Sequence, residues 1–240
     1  FLEKEAEKAG GKVHFLLGNH ELMVLHNDIR YINAKYRFTS GAFKTPYPDF
    51  FTEKTILGSW IRSKNICTTI NKIAFVHGGF SEKVLEKERS LTVINDAFKQ
   101  NLLQEKPERQ DSNNLLSLLF FDNGPLWYRG YADPSGFSIE DANKILDFLG
   151  AEAIVVGHTS MPKIVTLHDN KILLIDSSIK FGKTGEVLVY QDSLFYRGLE
   201  SGEKIPVGVC RHMHQFALRV ADQIGMENSF GVGFNNTAGG

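Results

Sequence analysis

Three short apolar runs set the frame of the chain: Val13–Leu17 (VHFLL), Lys72–His77 (KIAFVH) and Ala153–Val156 (AIVV), each passing directly into a turn that carries glycine and histidine. Runs of this length, apolar on both alternating faces, suit strands covered on both sides, as in a parallel sheet. Helical patterns lie between them. Residues 2–9 read as a helix closed by Gly10-Gly11, and Glu21 to about Tyr36, residues 53–65 and the stretch from Glu82 to Leu103 read as further helices. The clearest is Ile139–Leu149, amphipathic, with Ser138 placed to cap its start and Gly150 to end it. From Ile164 onward the runs KIVTLH, KILLID, EVLVY and SLFYR alternate with turns at Asp169-Asn170 and Lys183-Thr184-Gly185, the pattern of a β-meander. The turn-rich stretch Thr39–Phe51, the charged break Gln104–Asn114 and everything from about Val209 fit no regular element. Helix-linked strands followed by hairpins predict a mixed α/β fold, with residues 1–208 as one domain and 209–240 as a tail of unknown structure.

Composition narrows the partners. Apolar residues at 42% and charged residues at 23% are those of an ordinary folded domain. Twenty-seven basic side chains nearly cancel twenty-eight acidic ones, so there is no basic excess for a nucleic acid to recognise. No apolar run is long enough to span a bilayer. Two cysteines, Cys67 and Cys210, exclude a disulfide framework and a four-thiolate zinc site. Cys67 has no charged pattern around it to make it a nucleophile. Neither a Gly-x-Ser-x-Gly elbow nor a P-loop occurs. The chain opens at Phe1, directly in a charged helical stretch, and reads as the interior of a longer sequence, which leaves the compartment unreadable.

The chemistry gathers at the strand ends: Leu17-Gly18-Asn19-His20, Val76-His77-Gly78-Gly79 and Val156-Gly157-His158-Thr159. In open α/β sheets, binding sites form just beyond the carboxyl ends of strands. The separations are far too long for local chelation, so only tertiary assembly can bring these side chains together. Imidazole nitrogen and an amide oxygen suit divalent Mn, Fe or Zn. Against this, a single strand-end histidine is more often structural than a ligand. His14, His26 and His168 read as structural, and the His212/His214 pair as adventitious at most.

The segments GNHE (18–21), VHGGFS (76–81) and VGHTS (156–160) resemble the metallophosphoesterases of the phosphoprotein phosphatase type. Two more, GPLWYRGY (124–131) and GSWIR (58–62), narrow the resemblance to the Shewanella-like protein phosphatases, and the match runs to about residue 205. The resemblance implies a β-sandwich flanked by helices around two divalent metal ions (Mn, Fe or Zn) that activate a bridging water. It also implies roles for individual residues: Asn19, His77 and His158 as ligands of the second metal, and His20 as proton donor to the leaving oxygen. Arg129 would grip phosphate, since a planar guanidinium gives two parallel hydrogen bonds. Without its flanking motif Arg129 would instead read as a surface arginine stacked on Trp127 or Tyr128.

The departures count as much. In this family GNHE is the third motif, after Gly-Asp-x-His-Gly and Gly-Asp-x-x-Asp-Arg-Gly, and no Gly-Asp dipeptide occurs in the 240 residues. The expected fold therefore lacks its first two metal-binding strands and keeps ligands for only one metal. The chain by itself is expected to turn over little or nothing, and residues 13–17 to expose a hydrogen-bonding edge. Asp176 is expected to bond backbone, Thr159 to bond its own turn, and Asp133 to hold Arg129. The substrate implied is a phosphoprotein, with phosphotyrosine favoured, or a small phosphoester. Two alternatives stand beside it: a dinucleotide polyphosphate hydrolase, which shares GNHE, and a non-catalytic binding module of the same fold.

Overall fold

The computed structural model describes residues 1–102, 111, 113–133, 136–182 and 185–209. Of the predicted tail at 209–240, Val209 ends the last strand, and 210–240, with Cys210, His212 and His214, lies outside these residues, as do Lys183, Thr184 and most of the Gln104–Asn114 break. In chain order come α1 (Leu2–Lys8), α2 (Asn19–Leu25), α3 (Ala34–Ala42), a 3-10 turn at Tyr47–Phe51, α4 (Ile56–Arg62), β1 (Cys67–Ile70) and β2 (Ile73–Val76). Then follow α5 (Glu82–Lys87), α6 (Leu91–Asn101), α7 (Leu115–Phe120), α8 (Ile139–Leu149), β3 (Ala153–Val156), β4 (Val165–Leu167) and β5 (Ile172–Leu174). The last three strands are β6 (Glu186–Gln191), β7 (Leu194–Leu199) and β8 (Lys204–Val209).

The strands form two sheets, one ordered β1-β2-β3-β5-β4 and the other β6-β7-β8. The centre of the first, β2-β3-β5, is parallel, with antiparallel β1 and β4 at its edges. Side-chain alternation gives this sheet two different faces. Ala74, Val76, Ile154, Val156, Ile172 and Leu174 belong to the main core with the helices. Ile73, Val155 and Leu173 instead pack against Phe195 of β7 in a second, smaller core. The result is a sandwich with helices on its outer face. Uniformly apolar β3 is buried at every position because both its faces are covered.

Three expectations are corrected. The predicted helix from Glu21 to Tyr36 breaks into α2 and α3: Asn27 takes a positive φ of 61°, and Asp28 turns its carboxylate onto Arg30, both of which favour a turn over helix continuation. The predicted strand Val13–Leu17 stays extended, but its one bridge joins Leu16 to Asn65, with Leu17 N–H donating to the Asn65 carbonyl at 2.9 Å. Val13 and Phe15 lie 39% and 37% exposed. The predicted meander is divided between the sheets, β4 pairing with β5 in one and β6, β7 and β8 forming the other.

Candidate active site

Register builds the site. Val76 pairs with Val156 and Val156 with Leu174, so β2, β3 and β5 end level with one another. The Gly157 amide continues the ladder onto the His77 carbonyl at 2.9 Å, and the Ile175 amide onto Val156 at 2.8 Å. Residues immediately past these strands must therefore emerge together. Asn19 arrives from the other side, as the buried first residue of α2. Its start is fixed by Glu21, whose Oε2 accepts from the Gly18 amide at 2.7 Å.

The outcome is a cluster of three donor atoms. His77 Nε2 lies 2.8 Å from Asn19 Oδ1 and 3.1 Å from His158 Nδ1. His20 stands apart from this trio on the first turn of α2, exposed, its ring stacked on Tyr31 at 5.2 Å and 9°. Arg129 joins from the motif 124–131: its Nη1 donates to the His158 carbonyl at 2.9 Å and reaches Thr159 Oγ1 at 3.4 Å. Its guanidinium is thus tied to the His158 turn.

The motif is itself locked onto the strand end of β2. Gly78 and Gly79 both donate to the Pro125 carbonyl, at 2.7 and 3.2 Å. Tyr131 Oη accepts from the Phe80 amide at 2.8 Å and donates to its carbonyl at 2.9 Å. Gly79 has φ +151°, and a β-carbon there would run into the rings of Tyr131 and Tyr128 at 2.7 and 2.8 Å. Asp176, as expected, serves the backbone, accepting from the Ser178 amide at 3.0 Å, and it also accepts from Ser160 Oγ at 2.7 Å. Thr159 bonds within its turn through its amide, onto Gly157, at 2.6 Å.

Both histidines are held neutral. Burial depresses the pKa of His77, with neighbouring Arg129 adding to this while Glu21 opposes it. His158 is pushed down to about 4, by burial first and then by His77 and Arg129. Neutral imidazole is the ligating form. Asn19 Oδ1 can only accept, so His77 Nε2 must carry the proton for the 2.8 Å contact, and His158 Nδ1 must then be the bare acceptor at 3.1 Å. That tautomer puts the one ring N–H of neutral His158 on Nε2, which is buried without a hydrogen-bond partner. Asn19 Oδ1, His77 Nε2 and His158 Nδ1 are the atoms of this cluster that could hold a divalent cation.

The donor set is nevertheless uncharged. Among the described residues, no group of three or more His, Cys, Asp or Glu side chains is placed to hold a metal ion. The trio provides two imidazoles and an amide, and nothing in it neutralises a dication. Two features of the site escaped sequence reasoning. One is the indole of Trp127, edge-on to His158 at 6.2 Å with its Nε1 buried and unpartnered. The other is the stacking of Tyr31 on His20. Trp127 sits inside the quoted motif, but nothing in the spacing of Tyr31 points to the site.

The calcineurin-like phosphoesterase pattern matches residues 1–162. A crystal structure of a cold-active protein-tyrosine phosphatase from a psychrophilic Shewanella superposes with a TM-score of 0.80 at 38% identity, covering 86% of this chain and 62% of that one. Shewanella-like protein phosphatase 1 of Plasmodium berghei is 30% identical over 199 residues, covering 74% of this chain and 50% of its own length. An uncharacterised protein of Schizosaccharomyces pombe is 31% identical over 205 residues, 80% of this chain and 58% of its own length. The chain thus spans between half and two thirds of the length of these relatives. Strand-end donors, the locked arginine motif and these matches lead to one conclusion: the chain belongs to the calcineurin-like phosphoesterase family.

Proposed function

We propose that this chain carries one half of a phosphomonoester hydrolase site that acts on phosphoproteins, with phosphotyrosine as the favoured ester. One observation carries the reading: Asn19 Oδ1, His77 Nε2 and His158 Nδ1 meet at 2.8 and 3.1 Å from three distant parts of the sequence. These three would hold a divalent cation. When bound, such ions supply Lewis-acid polarisation of the phosphoryl group and a water nucleophile at neutral pH. Arg129, fixed by the His158 carbonyl, turns its remaining N–H groups to the phosphoryl oxygens. As the water oxygen bonds to phosphorus and releases one proton to solvent, the ester P–O bond breaks, and its electron pair leaves with the ester oxygen. That oxygen takes its proton from His20.

The uncharged trio sets the expected behaviour of the chain alone: weak cation binding and little turnover. Calorimetric titration with Mn²⁺ and Zn²⁺ tests the first part, with His77→Ala and His158→Ala as controls. Binding lost in both variants supports the reading, whereas no binding in any form favours the non-catalytic module. A phosphate-release assay with a phosphotyrosine peptide, a phosphoserine peptide and a dinucleotide polyphosphate tests the second. Robust turnover would refute the low-activity expectation, and preference for the dinucleotide would refute the phosphoprotein assignment.

A further inference from the structure

None of the nine residues of α3 is buried. A helix this short, with Thr39, Ser40 and Gly41 near its end, draws little from intrinsic propensity and ordinarily depends on packing. What holds it is local. Asn33 caps its start by accepting from the Lys35 amide at 3.0 Å, and Arg37 Nη2 donates to the Ile29 carbonyl at 2.8 Å. On the inner side Tyr36 meets Tyr47 at 6.3 Å, closing an aromatic cleft of about 420 Å³ against α2. The outer side is bare. Phe38, two residues on and so turned away from Tyr36, is 81% exposed, and Phe43, just past the helix, is 68% exposed.

The same stretch carries charge of one sign. Residues 29–48 hold Arg30, Lys35, Arg37 and Lys44 and no Asp or Glu, in a chain whose basic and acidic residues otherwise nearly cancel. Arg30 is paired with Asp28. Lys35, Arg37 and Lys44 are exposed and, among the described residues, have no carboxylate within ion-pair distance. Phe, Tyr and Arg are enriched in protein interfaces, and unpaired cations around them suit a partner of opposite charge.

We propose that the outer face of α3, with Phe43 and Lys44, is a docking surface for an acidic polypeptide segment. Asp and Glu side chains of the partner meet Lys35, Arg37 and Lys44, and its apolar side chains cover Phe38 and Phe43. The inference uses neither the donor cluster nor the hydrolase reading. Charge complementarity sets the sign of the partner. The layout selects a polypeptide over a bilayer. A helix that lies in a membrane needs a broad apolar face, whereas Phe38 is the one large apolar side chain among Ala34, Phe38, Gly41 and Ala42, which share the outer side. Three free cations on a chain of net charge −1 are also few for holding a nucleic-acid backbone.

Fluorescence anisotropy on the full chain tests this. The probes are a labelled peptide of repeated Glu-Asp-Leu-Phe, its Gln-Asn-Leu-Phe counterpart and a polyuridine oligonucleotide, with co-sedimentation on vesicles with and without phosphatidylserine alongside. The variants are Phe38→Ala, Lys35→Glu and Lys44→Glu. Lys180→Ala and Phe181→Ala are controls at another exposed cation–aromatic pair. All five side chains are exposed, so the core stays intact. The acidic peptide should bind roughly tenfold tighter than its neutral counterpart at low salt, and the gap should shrink as salt rises. Each α3-face variant should weaken the acidic peptide roughly threefold to tenfold, and the two controls should leave it unchanged. Equal binding of the two peptides, equal losses in the controls, or no binding below about 1 mM would overturn the docking surface. Tighter binding of polyuridine or of phosphatidylserine vesicles, lost in Phe38→Ala, would overturn the polypeptide partner and give the surface to a nucleic acid or a membrane.

Discussion

Gly18 lies directly against the ring of His77: a β-carbon at position 18 would come within 2.9 Å of His77 Nδ1 and 2.9 Å of Glu21 Oε2. The glycine before Asn19 is therefore a steric condition on a histidine 59 places later in the chain, and not only a helix start. Gly18→Ala should displace the imidazole or the capping carboxylate and cost about 1–3 kcal/mol of stability. Thermal denaturation measures that loss. Cation titration of the same variant should show weaker binding, and unchanged affinity would mean that the His77 ring moves freely.

Cation binding should also stabilise the fold, because the donors converge only in the folded chain. A ligand at one hundred times its dissociation constant adds about 2.7 kcal/mol. Melting the chain with increasing Zn²⁺ should raise Tm, and addition of a chelator should reverse the rise. In Asn19→Ala the dependence on Zn²⁺ should largely vanish.

Asn95 is a structural counterpart to the site, buried on α6 behind β1. Its Oδ1 accepts from the amides of Ile66 and Cys67 at 2.9 and 3.3 Å, and its Nδ2 donates to the Cys67 carbonyl at 3.0 Å. Asn95→Ala leaves these buried backbone groups unpaired and should cost about 2–5 kcal/mol. Urea denaturation measures it. The Cys67 thiol next to it is pushed up to about 12 by burial and should stay unreactive towards alkylating reagents until the chain unfolds.

Glu186 gives a pH signature. It pairs with Arg197, whose Nε donates at 2.8 Å, and accepts from the Ile164 amide at 2.9 Å. The hydrogen bond from Arg197 is the main cause of a carboxyl pKa held below its ordinary 4.5, with burial opposing. A lowered folded pKa means stabilisation fully present above the unfolded value and lost as pH falls through the folded one. Glu186→Gln should therefore lower Tm by roughly a few degrees at pH 7. The gap should close in melts run well below pH 4.5, and a constant gap across that range would exclude the linkage.

Much of this was legible in the chain itself. KIAFVH and AIVV were legible as buried strands because a strand covered on both faces announces itself as an apolar run, whereas VHFLL, equally apolar, makes a single bridge. Ser138 and Gly150 fixed both ends of α8, the first through its hydroxyl and the second through a left-handed φ of 60°. Other elements were obscured. β1, Cys-Thr-Thr-Ile, is too short and polar to stand out, and it forms because β2 offers an edge. The break in the helix after Leu25 depends on Asn27 and Asp28, residues that helices also tolerate. The aromatic cleft assembles from α2, α3 and the 3-10 turn at Tyr47–Phe51, and no local period encodes it.

The level ends of β2, β3 and β5 carry one last consequence, for how the sequence can change. Each donor hangs from its own strand or helix, and of the connection between β2 and β3 the stretch 124–131 returns to the cluster. Length changes in turns away from the cluster, such as Asp192-Ser193 between β6 and β7, leave the donors in place. Removing a single residue inside β2 or β3 is different. The pairing fixes the rungs, so everything downstream advances by one position and the imidazole turns to the opposite side of the sheet. Descendants of this chain can thus grow or shrink at their loops while their strands keep count.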